Sequence, residues 1–166
     1  MEVARREQLD DLVHGQIIRG SQLKPNRQIS KACDIEKYER VNYPYIGSGE
    51  YFTAGGEHPA VVDGQNYAVA VLECEPGKGP SLHSHTTEEM FFALAGRLEV
   101  YWGEHGEHSA VLEPLDAAVF PPGVWHGIRN VGDETGRLIA IIGEGSPAQP
   151  IFAPSVEQEL NAVASG

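Results

Sequence analysis

A single, mainly β domain is what this sequence predicts, and three features predict it. The chain has 166 residues, a length at which one core can bury about 70% of the unfolded surface and a second domain has little room. Its 19 glycines and 11 prolines interrupt the chain every few residues and leave short apolar segments, which suit strands better than helices. Seven such segments follow residue 60 at close spacing, the pattern of a sandwich or small barrel.

The elements can be justified in chain order. The first 40 residues carry charged stretches at 5–11 and 34–40 with scattered apolar positions, compatible with one short amphipathic helix over 5–13. Residues 43–56 hold Tyr43, Tyr45, Tyr51 and Phe52 among glycines and a proline, which suggests a loop or irregular strand able to lie over a pocket mouth. Strands are expected at 67–74, 82–85, 90–95, 97–102, 117–121, 126–130 and 138–142. The 97–102 segment alternates, placing Leu98, Val100 and Trp102 on one face and Arg97, Glu99 and Tyr101 on the other, one of them wet. Residues 90–95 are apolar on both faces, so that strand is expected to be covered on both sides, by a second sheet or another subunit. Near the end, Pro147, Pro150 and Pro154 prevent a continuous helix, and residues 155–158 have the form of a capping box before a short helix or tail. The organisation is therefore an N-terminal extension over 1–60, a strand-rich body over 61–146 and a tail over 147–166.

Charge and composition exclude several classes of partner. Twelve basic against twenty-four acidic residues give 12 − 24 = −12, which opposes binding to phosphate backbones or anionic lipid, so neither nucleic acid nor membrane is an expected partner. The longest apolar runs are six residues, against roughly 20 for a membrane span. The charged opening residues do not resemble a secretory signal, so a cytoplasmic location is expected. Cys33 and Cys74 cannot form a disulfide framework and lack the spacing of a zinc or redox pair; both read as free thiols, Cys74 as a buried one.

Chemistry concentrates at 77–89. His83 and His85, two apart on a strand, project from one face and bring two imidazoles to one cation, and a tight turn can fold a carboxylate back beside them. If Glu89 opens the next strand facing inward, Phe91 and Ala93 share its face; a third imidazole, His126, follows a proline-glycine turn, with Ile128 and Asn130 on its face. Glu88 competes for the carboxylate role, but Glu89 fits the spacing. His105 and His108 sit in a polar turn and His14 and His58 stand alone, so all four read as surface residues. Neither a G-x-S-x-G elbow nor a phosphate-cradling G-x-x-x-x-G-K-[ST] occurs.

These residues resemble the two motifs of the cupin superfamily. Gly77, His83, His85, Glu89 and Gly96 stand at the spacing of the first motif, and Pro121, Gly123, His126 and Asn130 at that of the second, whose leading glycine is replaced by Leu115. The resemblance covers residues 65–143 and implies a double-stranded β-helix, or jelly-roll, barrel. It also implies one divalent transition metal per chain, Fe(II) favoured over Mn, Ni, Co, Cu or Zn, held by His83, His85, Glu89 and His126, with Glu89 able to act as a general base. Three function classes follow from it: a dioxygenase acting on a metal-chelated phenolic or diketone substrate; a non-oxidative lyase, decarboxylase or isomerase; and a ligand-binding sensor without catalysis. The pocket is expected to involve Phe91, Ala93, Ile128, Asn130, Trp125 and Tyr51 and to be largely apolar, and the chain is expected to form a homodimer, its extension packing on the partner.

Overall fold

The computed structural model describes residues 17–27, 29–47, 59–61, 66–143 and 150–165. The helix expected over 5–13, Tyr51, Phe52, His14 and His58 lie outside them. Among the described residues, ten strands form two five-stranded antiparallel sheets: β1 (Val41–Ile46), β2 (Tyr67–Cys74), β3 (His83–Ser84), β4 (Glu89–Ala95), β5 (Leu98–Trp102), β6 (His108–Leu112), β7 (Ala117–Phe120), β8 (His126–Asn130), β9 (Gly136–Gly143) and β10 (Ile151–Phe152). The first sheet runs β1-β2-β9-β4-β7 and the second β10-β3-β8-β5-β6. This is the jelly-roll barrel: from β2 onward the chain passes from sheet to sheet at every connection except the β5–β6 hairpin, and the inner faces close on one core.

Alternation decides which side chains meet inside. β2 turns Ala68, Ala70, Leu72 and Cys74 inward, β9 turns Gly136, Leu138, Ala140 and Ile142, and β4 turns Glu89, Phe91 and Ala93, all of them buried. They pack against Leu98 and Val100 of β5, Leu112 of β6, Phe120 of β7 and Ile128 of β8. The other face of β4 is not covered to the same extent, since Met90 and Phe92 are half-buried and Leu94 is exposed. The outer side of the second sheet is covered by the chain itself. Two 3-10 turns (Lys31–Asp34 and Glu36–Tyr38) and helix α1 (Pro154–Ala164) place Ala32, Tyr38 and Val156 against Leu82 and Phe152, with Tyr101 and Trp125 at the margin. Lys37 Nζ reaches Glu159 at 2.8 Å between these two ends of the chain.

Several sequence expectations are corrected by this arrangement. The extension is not wholly outside the barrel: β1 pairs with β2 along its length, Asn42 opposite Leu72. Its Pro44, which cannot donate to a ladder, is tolerated because β1 is an edge strand. Residues 29–40 pack on their own barrel. His108 opens strand β6 rather than lying in the turn. The capping box over 155–158 does not form. Ala153 is the N-cap and Pro154 the first helical residue, a position where its missing N–H costs nothing.

Two turns share one unusual backbone conformation. Gly96, between β4 and β5, has φ +79°, and Leu115, before β7, has φ +81°. Leu115 stands where the second motif has glycine, so the departure seen in the sequence is a leucine held in a left-handed conformation that disfavours any residue with a Cβ. It points to solvent at 78% exposure.

Candidate metal centre

Both sheets contribute to the centre. His83 of β3 faces His126 of β8 directly across the second sheet. Glu89 opens β4 in the first sheet, where it stands between Phe120 and Ile142. His85 lies just beyond β3, and Gly123 N–H donates to its carbonyl oxygen at 2.8 Å, tying the turn of the second motif to the first. All four side chains are buried, Glu89 at 4% exposure.

The donors converge on one oxygen. Glu89 Oε2 lies 3.4 Å from His83 Nε2, 3.3 Å from His85 Nε2 and 2.8 Å from His126 Nε2. Ligand atoms held at about 2.1 Å from a shared ion and at right angles to one another would lie about 3 Å apart, so this spacing is that of a ligand set. The ring tautomers agree. His83 Nδ1–H donates to the Ser81 carbonyl at 2.7 Å and His126 Nδ1–H to the Val124 carbonyl at 2.8 Å, and a carbonyl can only accept. Each neutral ring then turns an Nε2 lone pair toward a carboxylate, an arrangement that needs a cation between them, either protons on the rings or a metal. The residues therefore fit a divalent metal, and the ligand atoms of His83, His85 and Glu89 all lie within 4.8 Å of one another.

Electrostatics and packing hold the set in place. Burial alone would raise the Glu89 carboxyl, but when protons rather than a metal sit on the rings, hydrogen bonds from His126 and His83 and the charges of His83 and His85 outweigh it and keep the group well below the ordinary carboxylate range. Phe120 stacks on the His126 ring at 4.3 Å between centroids and 4° between planes, and Phe91 meets the same ring edge-on at 5.6 Å. The imidazole is thus fixed from two sides.

The centre adjoins a narrow cavity whose wall includes His83 and Glu89. Ala68, Ala70 and Ala140 leave this space on the inner face of the first sheet, and Ile29, Leu72, Phe91 and Ile142 complete the apolar wall. Arg40 and Asn42 of the N-terminal segment line it too. The lining is largely apolar, as expected, and Arg40 and Asn42 are two polar members that the expectation did not name. Nothing in the motifs marks these two, because a charged stretch over 34–40 ordinarily reads as solvated.

The other expected pocket residues are placed differently. Phe91 lines the cavity; Ala93 is buried one inward step further along β4, outside the lining. Ile128 is core and borders a separate cleft with Tyr101 and Arg129. Asn130 is a strut: its amide donates to the carbonyls of Cys74 and Glu134, and its oxygen accepts from Gly132 N–H. Trp125 packs beside α1, and Tyr51 lies outside the described residues. His105 and His108 are exposed, as expected.

Comparison with known proteins agrees with this geometry. The cupin domain family model matches residues 70–142. The match and the two-sheet barrel around it identify residues 70–142 as a cupin domain. The chain is similar to the polyketide cyclase RemF from Streptomyces resistomycificus, at 13% identity and TM-score 0.58, covering 82% of this chain and 83% of that one. It is also similar to a cupin 2 domain-containing protein from Halorhodospira halophila, at 21% identity and TM-score 0.52 over 76% and 79% of the two chains. An oxalate decarboxylase from Lactobacillus farciminis, solved as a formate complex, aligns at 20% identity and TM-score 0.56 over 88% of this chain and 36% of its own. These identities speak to the fold alone. No curated protein sequence matches the chain. Among the described residues, no helix is long and apolar enough to cross a membrane.

Proposed function

We propose that the chain is a metal-dependent enzyme of the dioxygenase kind, in which His83, His85, Glu89 and His126 hold one divalent transition metal, Fe(II) in the working form. The observation that supports this reading is the meeting of three imidazoles on one buried carboxylate oxygen at the head of a cavity. Such an ion supplies Lewis-acid polarisation and, when redox-active, electron transfer to dioxygen. The chain's own part is positioning. The Ser81 and Val124 carbonyls set the tautomers of His83 and His126, Phe91 and Phe120 fix one ring, and the apolar wall excludes water from a small phenolic or diketone-type substrate. Glu89, kept ionised although buried, would offer its carboxylate to the ion.

Metal analysis of freshly purified protein, followed by oxygen-electrode screening of catechol-type and diketone compounds, tests the reading. One ion per chain and chelator-sensitive oxygen uptake are expected. Turnover without oxygen consumption would replace it with a non-oxidative lyase or decarboxylase, a second reading that the presence of Arg40 and Asn42 in the cavity wall favours. The homodimer is kept as part of the proposal because the register lines up Val71, Ile139 and Phe92 across the outer side of the first sheet, with Val119 and Leu94 exposed beside them. Light scattering should give twice the 18.0 kDa chain mass, and the single-chain mass would overturn this part.

A further inference from the structure

His83 reaches the metal centre on a strand too short to hold itself. β3 has two residues, and among the described residues it pairs with β8 at one position, His83 opposite His126. On its other side it pairs with β10 at both residues, Phe152 opposite His83 and Ile151 opposite Ser84. β10 is the edge of that sheet, so the side of β3 away from His126 is held by the C-terminal segment. A ladder this short is marginal in water, and what keeps β10 in register is the helix that follows it.

The grip continues past β10. Ala153 N–H donates to the Leu82 carbonyl at 3.1 Å, one residue before His83. Val156 of α1, 1% exposed, and Ala153 pack with Phe152 against Leu82. Lys37 Nζ meets Glu159 of α1 at 2.8 Å, and the Lys37 carbonyl accepts from Gly79 N–H at 3.1 Å, so the N-terminal turn touches both the helix and the approach to β3. The ion pair is exposed and adds little, and the docking is set by the buried apolar contacts. The other donors are held differently. Glu89 stands between Phe120 and Ile142 in the first sheet, and His126 pairs with Trp102 as well as with His83. His85 is tied to the second motif through Gly123 N–H.

We infer that the docked C-terminal segment, β10 with α1, is a clamp on the ligand strand: it positions His83, and the chain holds its ion tightly only with the segment in place. Linkage makes this reciprocal, so an ion bound at His83 tightens the segment in turn. The inference rests on the reading of His83, His85, Glu89 and His126 as a ligand set.

The test uses Zn(II) as the probe on the full-length chain after chelator treatment. Affinity is measured by competition with a chromophoric chelator, and docking by hydrogen exchange of the Ala153 amide. Val156→Asp, which puts a charge into a buried position, should speed that exchange and weaken Zn(II) about tenfold, as loss of a group supporting a ligand does. Val156→Ile should keep both near the wild-type values. Leu112→Ala controls for general destabilisation. Leu112 is 7% exposed on β6, the opposite edge of the same sheet, and its loss should lower the urea midpoint while leaving Zn(II) affinity within about twofold of wild type. In wild type, saturating Zn(II) should slow Ala153 exchange about tenfold, the same coupling read from the other side. Unchanged exchange on Zn(II) binding would overturn the clamp and needs no variant. So would a Val156→Asp protein that exchanges quickly yet binds Zn(II) as wild type does, or a Leu112→Ala protein that weakens Zn(II) as much as Val156→Asp. Wild type that takes up no Zn(II) would overturn the ligand-set reading and the clamp with it, whereas one Zn(II) per chain with an indifferent C-terminal segment would overturn the clamp alone.

Discussion

The barrel contains two groups made of the same chemical parts. In one, His83, His85, His126 and Glu89 are buried and their donor atoms meet within hydrogen-bonding range. In the other, His105, His108 and Glu107 sit at the β5–β6 hairpin, exposed, and Glu107 accepts from His105 N–H at 2.9 Å. Both carboxyls are lowered, but for different reasons: Glu89 by imidazoles that overcome its burial, Glu107 by the backbone N–H groups of Glu107 itself and His105. Residue type therefore does not make a metal centre. Convergence from different strands does, because it fixes several donors without the entropy of ordering free side chains at binding.

The largest effect expected from this contrast is on metal content. His83→Ala or His126→Ala should lower the ion from one per chain to under about a tenth, as loss of a ligand from a four-donor site commonly does. His105→Ala and His108→Ala should leave it unchanged. Elemental analysis after desalting decides, and equal losses from all four would break the distinction.

Acid should separate the two carboxylates next. A group whose folded pKa is lowered contributes stability that is present above its unfolded value and lost as pH falls through the folded one. For metal-free protein, that places the Glu89 contribution at pH above about 4.5, fading below. Glu89→Gln should flatten the decline of urea stability across that range, and Glu107→Gln, exposed and solvent-screened, should barely alter it. A decline of unchanged steepness in Glu89→Gln would refute the account.

The contrast extends to the backbone, where Gly96 and Leu115 hold nearly the same φ. A Cβ on Gly96 would lie 2.8 Å from Gly136 Cα, so Gly96→Ala should cost about 2 kcal/mol or more in urea unfolding. Leu115 has no such neighbour to satisfy in solvent, and Leu115→Gly should stabilise by about 1 kcal/mol without touching metal content. A destabilised Leu115→Gly would mean that the side chain has a packing role its exposure hides.

How far the sequence could be read follows the same line. β2 and β8 match their expected limits residue for residue, and Leu98 and Val100 point inward as the alternation requires. The four donors were legible because motif spacing encodes local geometry, two positions on one strand and a turn between strands. β6 was not legible, since four of its five residues are exposed and no alternation survives. β10 has only two residues, and β1 carries a proline that argues against a strand unless its edge position is known. Arg40 and Asn42 were missed for a related reason: their burial depends on β1 pairing with β2, a contact between residues some 30 positions apart in the chain, which no local pattern announces.

The route by which β1 joins the barrel also divides the molecule's chemistry between two stretches of chain. Every proposed metal donor falls within residues 70–142, the span of the cupin domain match, whereas Arg40 and Asn42 arrive from outside it. A piece of chain cut to that span would carry every proposed metal donor and leave out Arg40 and Asn42 of the cavity wall. Part of the lumen's lining can thus be altered through an edge strand while the proposed donors keep their place.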